Sequence, residues 1–208
     1  MIKEALDQCG LIAILRGIQP DEVTTIAHGL YSEGFRLLEV PLNSPQPFES
    51  IRRLKESLPN DCIVGAGTVY LPAQVEEVRA AGGTLIVMPH CDAEVVQVAR
   101  SAQLDVLPGV ATPTEAFEAL RLGVTLLKAF PADHLGPATI RAWRLVLPQE
   151  VSLIPVGGIL LSNVTPLVAS GAIGLGIGSA LYRPGAASAD VIRRGREFVA
   201  AWREATAT

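Results

Sequence analysis

Short, nearly unbroken apolar runs recur along the chain, each too short for a helix and each separated from the next by a stretch with helical spacing. They cover residues 11–15, 37–40, 62–65, 85–88, 105–107, 125–130, 151–156 and 172–177. A run of this length without polar alternation marks a strand buried on both faces. Helix start signals lie between the runs. They are Pro20-Asp21-Glu22, Pro47-Phe48-Glu49, Leu71-Pro72-Ala73, Cys91-Asp92-Ala93-Glu94, Thr112-Pro113-Thr114-Glu115, Gly136-Pro137-Ala138 and Ser162-Asn163. Gly34, Gly82, Gly123 and Gly171 stand where helices should end. Eight buried strands alternating with helices, after a short amphipathic N-terminal helix, predict an α/β fold: a parallel (β/α)₈ TIM barrel. A doubly wound open sheet is the other architecture that this alternation allows.

With 208 residues, 49% of them hydrophobic, the chain can bury one core and is long for two. No linker, low-complexity tract or charge block divides it, so residues 1–208 are read as a single domain. The net charge of −4 and the lack of any basic cluster longer than Arg52-Arg53 or Arg193-Arg194 argue against nucleic acid and anionic membranes as partners. No stretch approaches the ~20 apolar residues of a membrane span, and Lys3 and Glu4 replace the apolar run of a signal peptide. A cytoplasmic location is therefore expected, with small molecules as partners. Cys9, Cys62 and Cys91 are widely spaced and form no CxxC pair, which predicts neither a disulfide framework nor a zinc ribbon.

Active sites of such barrels lie at the C-terminal ends of the strands. Read in order, those ends carry Arg16-Gly17, Glu39, Gly67-Thr68, Pro89, Pro108-Gly109, Lys128 with Phe130, Gly157-Gly158 and Gly178-Ser179. The chain has three lysines, and Lys128 alone sits in an apolar run, whereas Lys3 and Lys55 have polar neighbours. A free lysine titrates at about 10.4. Desolvation lowers that value toward the range in which the neutral amine attacks a carbonyl, so Lys128 is a candidate Schiff-base nucleophile. A snorkelling lysine with a buried stem is the plain structural alternative. Glu39, within Leu37-Leu38-Glu39-Val40, should be shifted upward by the same burial and suits proton transfer near neutral pH. It could instead be an ion-pair partner of Arg16 or Lys128.

The last two strand ends, Val156-Gly157-Gly158-Ile159 and Gly176-Ile177-Gly178-Ser179, occupy the loops with which barrels bind phosphate through bare backbone amides. A phosphorylated substrate is expected. The spacing of Gly174, Gly176 and Gly178 is not a dinucleotide fingerprint. His28, His90 and His134 are scattered, and only His90-Cys91-Asp92 could offer a ligand, so neither a metal nor a cofactor is expected.

These motifs, above all Glu39-Val40-Pro41-Leu42-Asn43-Ser44-Pro45, Gly65-Ala66-Gly67-Thr68-Val69, Pro108-Gly109-Val110-Ala111-Thr112-Pro113-Thr114-Glu115 and Leu127-Lys128-Ala129-Phe130-Pro131, resemble the class I aldolases that cleave 2-keto-3-deoxy-6-phospho sugar acids. The likeness extends from Ile12 to Tyr182. It implies that Lys128 forms an imine with pyruvate or the keto acid and that Glu39 moves the protons. It also implies that Arg16 and Thr68, with Pro89 and Phe130 beside them, hold the pyruvate portion. Gly157, Gly158, Gly178 and Ser179 would bind the phosphate, and the chain would form homotrimers. The gluconate-type branch has Thr and Arg where this chain has Pro41 and Asn43, and Thr in place of Val156. The chain is more similar to the galactonate-type branch, with Asn43 meeting a substrate hydroxyl. Two rivals of other kinds share the barrel: a metal-dependent sugar-phosphate epimerase and a non-catalytic sugar-phosphate sensor.

Overall fold

A computed structural model describes residues 2–207. Among the described residues nine parallel strands form two sheets. One sheet runs in the order β5 (Asp105–Leu107), β4 (Leu85–Val87), β3 (Ile63–Gly67), β2 (Leu37–Pro41), β1 (Leu11–Ile14) and β9 (Leu175–Ile177). The other is β6 (Gly109–Val110), β7 (Leu126–Ala129) and β8 (Ser152–Pro155). Helices α2 (Val23–Glu33), α3 (Pro47–Ser57), α4 (Pro72–Ala80), α5 (Ala93–Ser101), α6 (Pro113–Arg121), α7 (Ala132–Val146) and α8 (Val164–Ala169) alternate with them. α9 (Ser188–Thr206) follows the last strand, and α1 (Ile2–Gln8) precedes the first.

Two seams join the sheets. Pro108 separates β5 from β6, and its carbonyl accepts the Lys128 N–H at 2.9 Å. At the other seam Val156 bridges Gly176 in parallel, and Ile173 N–H donates to Leu153 at 3.1 Å. Side chains alternate between two layers, as the pleat requires. Leu11, Ala13, Leu38, Val40, Leu127 and Leu153 pack outward against the helices. Ile12, Ile14, Leu37, Ile63, Leu85, Leu107, Leu126 and Ile154 meet in an inner cluster drawn from both sheets. Ile2, Ala5 and Leu6 of α1 close that cluster, with the Ile2 N–H on Asp105 at the start of β5, 3.2 Å away. α1 thus covers the end of the sheets opposite to the strand ends that carry the candidate chemistry.

The predicted helix signals act locally. Thr112 and Glu115 cap α6 reciprocally, with the Glu115 carboxylate accepting Thr112 N–H at 2.8 Å. Asp92 accepts Val95 N–H at 2.9 Å at the start of α5. Two boundaries differ from the sequence reading. α2 begins at Val23, because Pro20 and Glu22 are used in a turn, where the Glu22 carboxylate accepts Gln19 N–H at 3.0 Å. α7 begins at Ala132, and the predicted start at Gly136-Pro137 is a kink inside it, with Gly136 at φ 67°. The 19-residue α9 was not among the predicted helices. It packs on α2 through a face that includes Val191, Phe198, Val199 and Trp202. Among the described residues no helix is long and apolar enough to cross a membrane.

One glycine shows how closely the strands are fitted. A Cβ on Gly65 would collide with the backbone carbonyl of Leu85, its partner across β3 and β4, and backbone in a central strand cannot move aside cheaply. Gly65→Ala is expected to lower stability by about 1–3 kcal/mol, the usual cost of overpacking a core. Urea unfolding of the two proteins checks this, and an unchanged midpoint would contradict it.

Candidate active site

Strand parity decides which charged groups meet. Leu37 belongs to the inner cluster, so Glu39, two residues on, shares its inward face. Leu126 and Lys128 repeat the relationship on β7. Both charged side chains are buried, Glu39 being 2% and Lys128 6% exposed. Gly67 makes the room. A Cβ there would collide with Oε2 of Glu39, so the glycine is required by space and not by backbone conformation.

Burial pushes the Glu39 carboxyl up to about 7, against the downward pull of Lys128 and Arg16. Burial pushes the Lys128 amine down, with Arg16 pushing the same way and Glu39 opposing. Oε2 of Glu39 has no hydrogen-bond partner among the described residues. The Lys128 amine stands 4.6 Å from the centroid of the Phe130 ring.

Arg16 is exposed at the mouth of the site. Its guanidinium donates to Oδ1 of Asn43 at 2.6 Å and to Oγ1 of Thr68 at 3.4 Å. Three loops are thereby joined: those after β1, β2 and β3. Thr68 is held at φ 59°. A β-branched residue rarely adopts that conformation, and such strain is stored mainly at functional sites. The Gly17 N–H donates to Oγ of Ser44 at 2.9 Å and ties the first two loops again.

Beside these groups lies a cavity of about 560 Å³. Six of the residues singled out from sequence line it: Arg16, Phe130, Gly157, Gly158, Gly178 and Ser179. Lys128 adjoins the cavity through Phe130, while Asn43 and Thr68 adjoin it through Arg16. Gly157 and Gly158 have φ of 98° and 67°, a left-handed turn that suits glycine. The N–H groups of Gly158, Gly178 and Ser179 donate to nothing among the described residues. Free amides along a glycine turn of this kind can receive an anion. Pro89 is not brought into this wall; its carbonyl packs against Gly109.

Some of the lining escaped the sequence reading as site residues. Ile14, Ile159, Tyr182, Arg183 and Pro184 are the ones it did not name as such, and Gly17 and Val156, noted there as a strand end and a branch difference, complete the cavity. Ile14 was detectable, since it ends the inward face of β1 two residues before Arg16. The aromatic ring of Tyr182 and the charge of Arg183 carried no comparable signal, because only the turn after β9 brings them back over the site. Among the described residues no three His, Cys, Asp or Glu side chains gather as a metal ion would need. The cysteines are free, and burial pushes the thiols of Cys62 and Cys91 up to about 12 and about 11.

Comparison with known proteins identifies relatives along almost the whole chain. Residues 2–194 match the family model for KDPG and KHG aldolase. A probable 2-dehydro-3-deoxy-6-phosphogalactonate aldolase of Rhizobium meliloti (strain 1021) is 43% identical over 192 residues, 92% of this chain and 91% of that one. The 2-dehydro-3-deoxy-6-phosphogalactonate aldolase of Escherichia coli (strain K12) is 41% identical over 94% of this chain and 95% of its own. A solved structure described as native KDPGal superposes with a TM-score of 0.93 at 40% identity, covering 95% and 96% of the two chains. The KDPG aldolase of Legionella pneumophila, solved with pyruvate captured as a covalent carbinolamine, gives 0.82 at 26% identity, covering 97% and 96%. On this evidence the chain belongs to the KDPG and KHG aldolase family, whose members are lyases that break a carbon–carbon bond.

Proposed function

We propose that the protein is a class I aldolase that cleaves 2-dehydro-3-deoxy-6-phosphogalactonate to pyruvate and D-glyceraldehyde 3-phosphate. The observation that carries the reading is the burial of Lys128 and Glu39 on one inward face, beside a cavity whose other wall is made of unpartnered glycine amides. A buried carboxylate oxygen with no partner costs roughly 1–3 kcal/mol, which folding alone gives no reason to keep.

In this mechanism the neutral amine of Lys128 attacks the C2 carbonyl, and the resulting carbinolamine loses water with a proton supplied by Glu39. Glu39 then takes the proton of the C4 hydroxyl. The C3–C4 bond breaks, its electron pair moves into the protonated imine, and glyceraldehyde 3-phosphate leaves. Glu39 returns a proton to C3 of the remaining enamine, and one water hydrolyses the imine to pyruvate and free Lys128. The water lost at the start balances the water used at the end. Arg16 and Thr68 hold the carboxylate region of the keto acid, and Gly157, Gly158, Gly178 and Ser179 receive the phosphate.

The same reading closes the two sheets into one (β/α)₈ barrel, with β5 and β6 as a single strand broken at Pro108, in one domain over residues 1–208. It assigns a homotrimer by family likeness. It places the enzyme in the cytoplasm, because a phosphorylated sugar acid carries charges that a bilayer retains. The galactonate epimer is favoured by the names of the two curated relatives above and by Pro41, Asn43 and Val156. Asn43 spends its carbonyl on Arg16, which leaves its amide to donate to a substrate hydroxyl. Val156 places a methyl-bearing wall where a threonine would place a hydroxyl.

Three experiments test these assignments. Borohydride added with pyruvate should inactivate the enzyme and leave the mass of reduced pyruvate on Lys128; an adduct only on Lys3 or Lys55, or none, would refute the Schiff base. Glu39→Gln should slow exchange of the pyruvate C3 hydrogens by about 10² to 10⁴, the span of general acid–base catalysis. The wild-type exchange profile should show a limb near pH 7, where the Glu39 carboxyl titrates, and the variant should lack it. Retention of that limb in the variant would give the titration to another group. The third experiment compares kcat/KM on the two epimers. The galactonate epimer should win, with Val156→Thr narrowing the gap, and equal efficiencies in the wild type would show the branch to be misassigned.

A further inference from the structure

The turn after β9 presents a cation that no motif announced. Gly178 accepts the N–H groups of Leu181 and Tyr182 at 2.9 and 3.0 Å, which folds the chain back and brings the next residue over Ser179. The guanidinium Nε of Arg183 then donates to the Ser179 carbonyl at 3.0 Å. Arg183 lines the cavity alongside Gly157, Gly158, Gly178 and Ser179. Among the described residues no carboxylate holds it. Arg52, Arg193 and Arg196 by contrast are each paired with glutamate.

The backbone carrying Arg183 is fixed from both sides. The Tyr182 hydroxyl, on a side chain only 2% exposed, donates to Glu22 at 2.6 Å. The same Glu22 oxygen accepts the Gln19 N–H from the loop after β1. Pro184 packs against Gly17 in that loop. Asp133 is the carboxylate that backs Gly158, and it is turned to the His134 ring at 3.2 Å. With Nε engaged and both flanking residues anchored, the terminal NH₂ groups of Arg183 donate to no described residue, and ordering them on an anion in the cavity that Arg183 lines costs little entropy.

We propose that Arg183 is a specificity-determining residue that makes the enzyme select a phosphate at the far end of its substrate. This deepens the aldolase reading above and rests on it. The glycine amides are neutral donors, and any small anion or carbonyl can satisfy them. A phosphomonoester carries about −1.5 to −2 charges at neutral pH, and a guanidinium fork matches its oxygens in charge and geometry. The amides therefore locate the group while Arg183 distinguishes a dianion from the hydroxyl of an unphosphorylated sugar acid.

The test compares wild type, Arg183→Gln and Arg183→Lys on 2-dehydro-3-deoxy-6-phosphogalactonate and on the same acid without phosphate. Arg183 is exposed, so the substitutions should not disturb folding. Arg183→Gln should lose about 10- to 100-fold in kcat/KM on the phosphorylated acid, the worth of a charge-assisted hydrogen bond. The loss should appear in KM, without a matching loss on the unphosphorylated acid, and Arg183→Lys should recover part of it. Inhibition by inorganic phosphate should weaken in parallel. Equal losses on the two acids, or no loss on either, would overturn the proposal. A wild type that releases no pyruvate from either acid would instead refute the aldolase reading. Calorimetric titration with inorganic phosphate then still judges Arg183, since weaker binding by Arg183→Gln supports its role and equal binding removes it.

Discussion

Burying a carboxyl and an amine on one inward face is the constraint from which the rest of the site follows. Taking either ion out of water alone costs several kcal/mol, so burial drives both away from their ordinary values while each opposes the shift of the other. Burial raises Glu39 to about 7 and lowers Lys128. The carboxyl can then hold or release a proton near neutral pH, and the downward shift of Lys128 favours its neutral amine. Arg16 biases the exchange. Its positive charge pulls both neighbours toward their deprotonated forms. That is the direction an amine nucleophile and a catalytic base require.

Meeting that constraint shapes the surrounding backbone. Gly67 must lack a side chain for Glu39 to fit, and Thr68 immediately after it takes a left-handed conformation at φ 59°. Strain of this kind costs of order 1–3 kcal/mol and persists only where neighbours over-determine it. Here the neighbours are Arg16 and, through Arg16, Asn43. The same economy explains why the inner cluster below the site is wholly aliphatic. Ile12, Leu37, Ile63, Leu85, Leu126 and Ile154 supply packing that asks for no partners and supports the two residues that lack enough of them.

Much of this was legible in the sequence, for identifiable reasons. Strands buried on both faces leave unbroken apolar runs, so the βα alternation is visible, and a charge inside such a run is conspicuous. Lys128 and Glu39 stand out on those grounds, 89 residues apart, without any knowledge that they meet. The interruption at Pro108 was not visible, because a proline at a strand end reads as an ending and gives no sign that Gly109 and Val110 pair with the following strand. α9 was missed because the loop before it, Arg183-Pro184-Gly185-Ala186-Ala187, carries no capping residue at the helix start. Arg183 was hidden for a different reason. In sequence it is an arginine before a proline and a glycine, and its meaning depends on a turn that only the folded β9 end creates.

The placement of charge along the cavity divides chemistry from recognition. At the inner end, where Glu39 and Lys128 are buried, charges interact in a medium of low effective dielectric, several-fold more strongly than in water. Small movements of a proton there have large consequences, as bond cleavage needs. At the outer end the glycine amides and the exposed loop after β9 work in a wetter medium, where single contacts are weaker and several must cooperate. A phosphate held at that end is remote from the breaking bond. Its binding energy can therefore orient the keto group against Lys128 without stabilising any one protonation state of the inner pair. Further strong donors beside Lys128 would add to the pull of Arg16, hold Glu39 as the carboxylate and remove its capacity to supply a proton. The separation of the two ends is thus what allows tight recognition of a highly charged substrate to coexist with a buried carboxyl poised near neutrality.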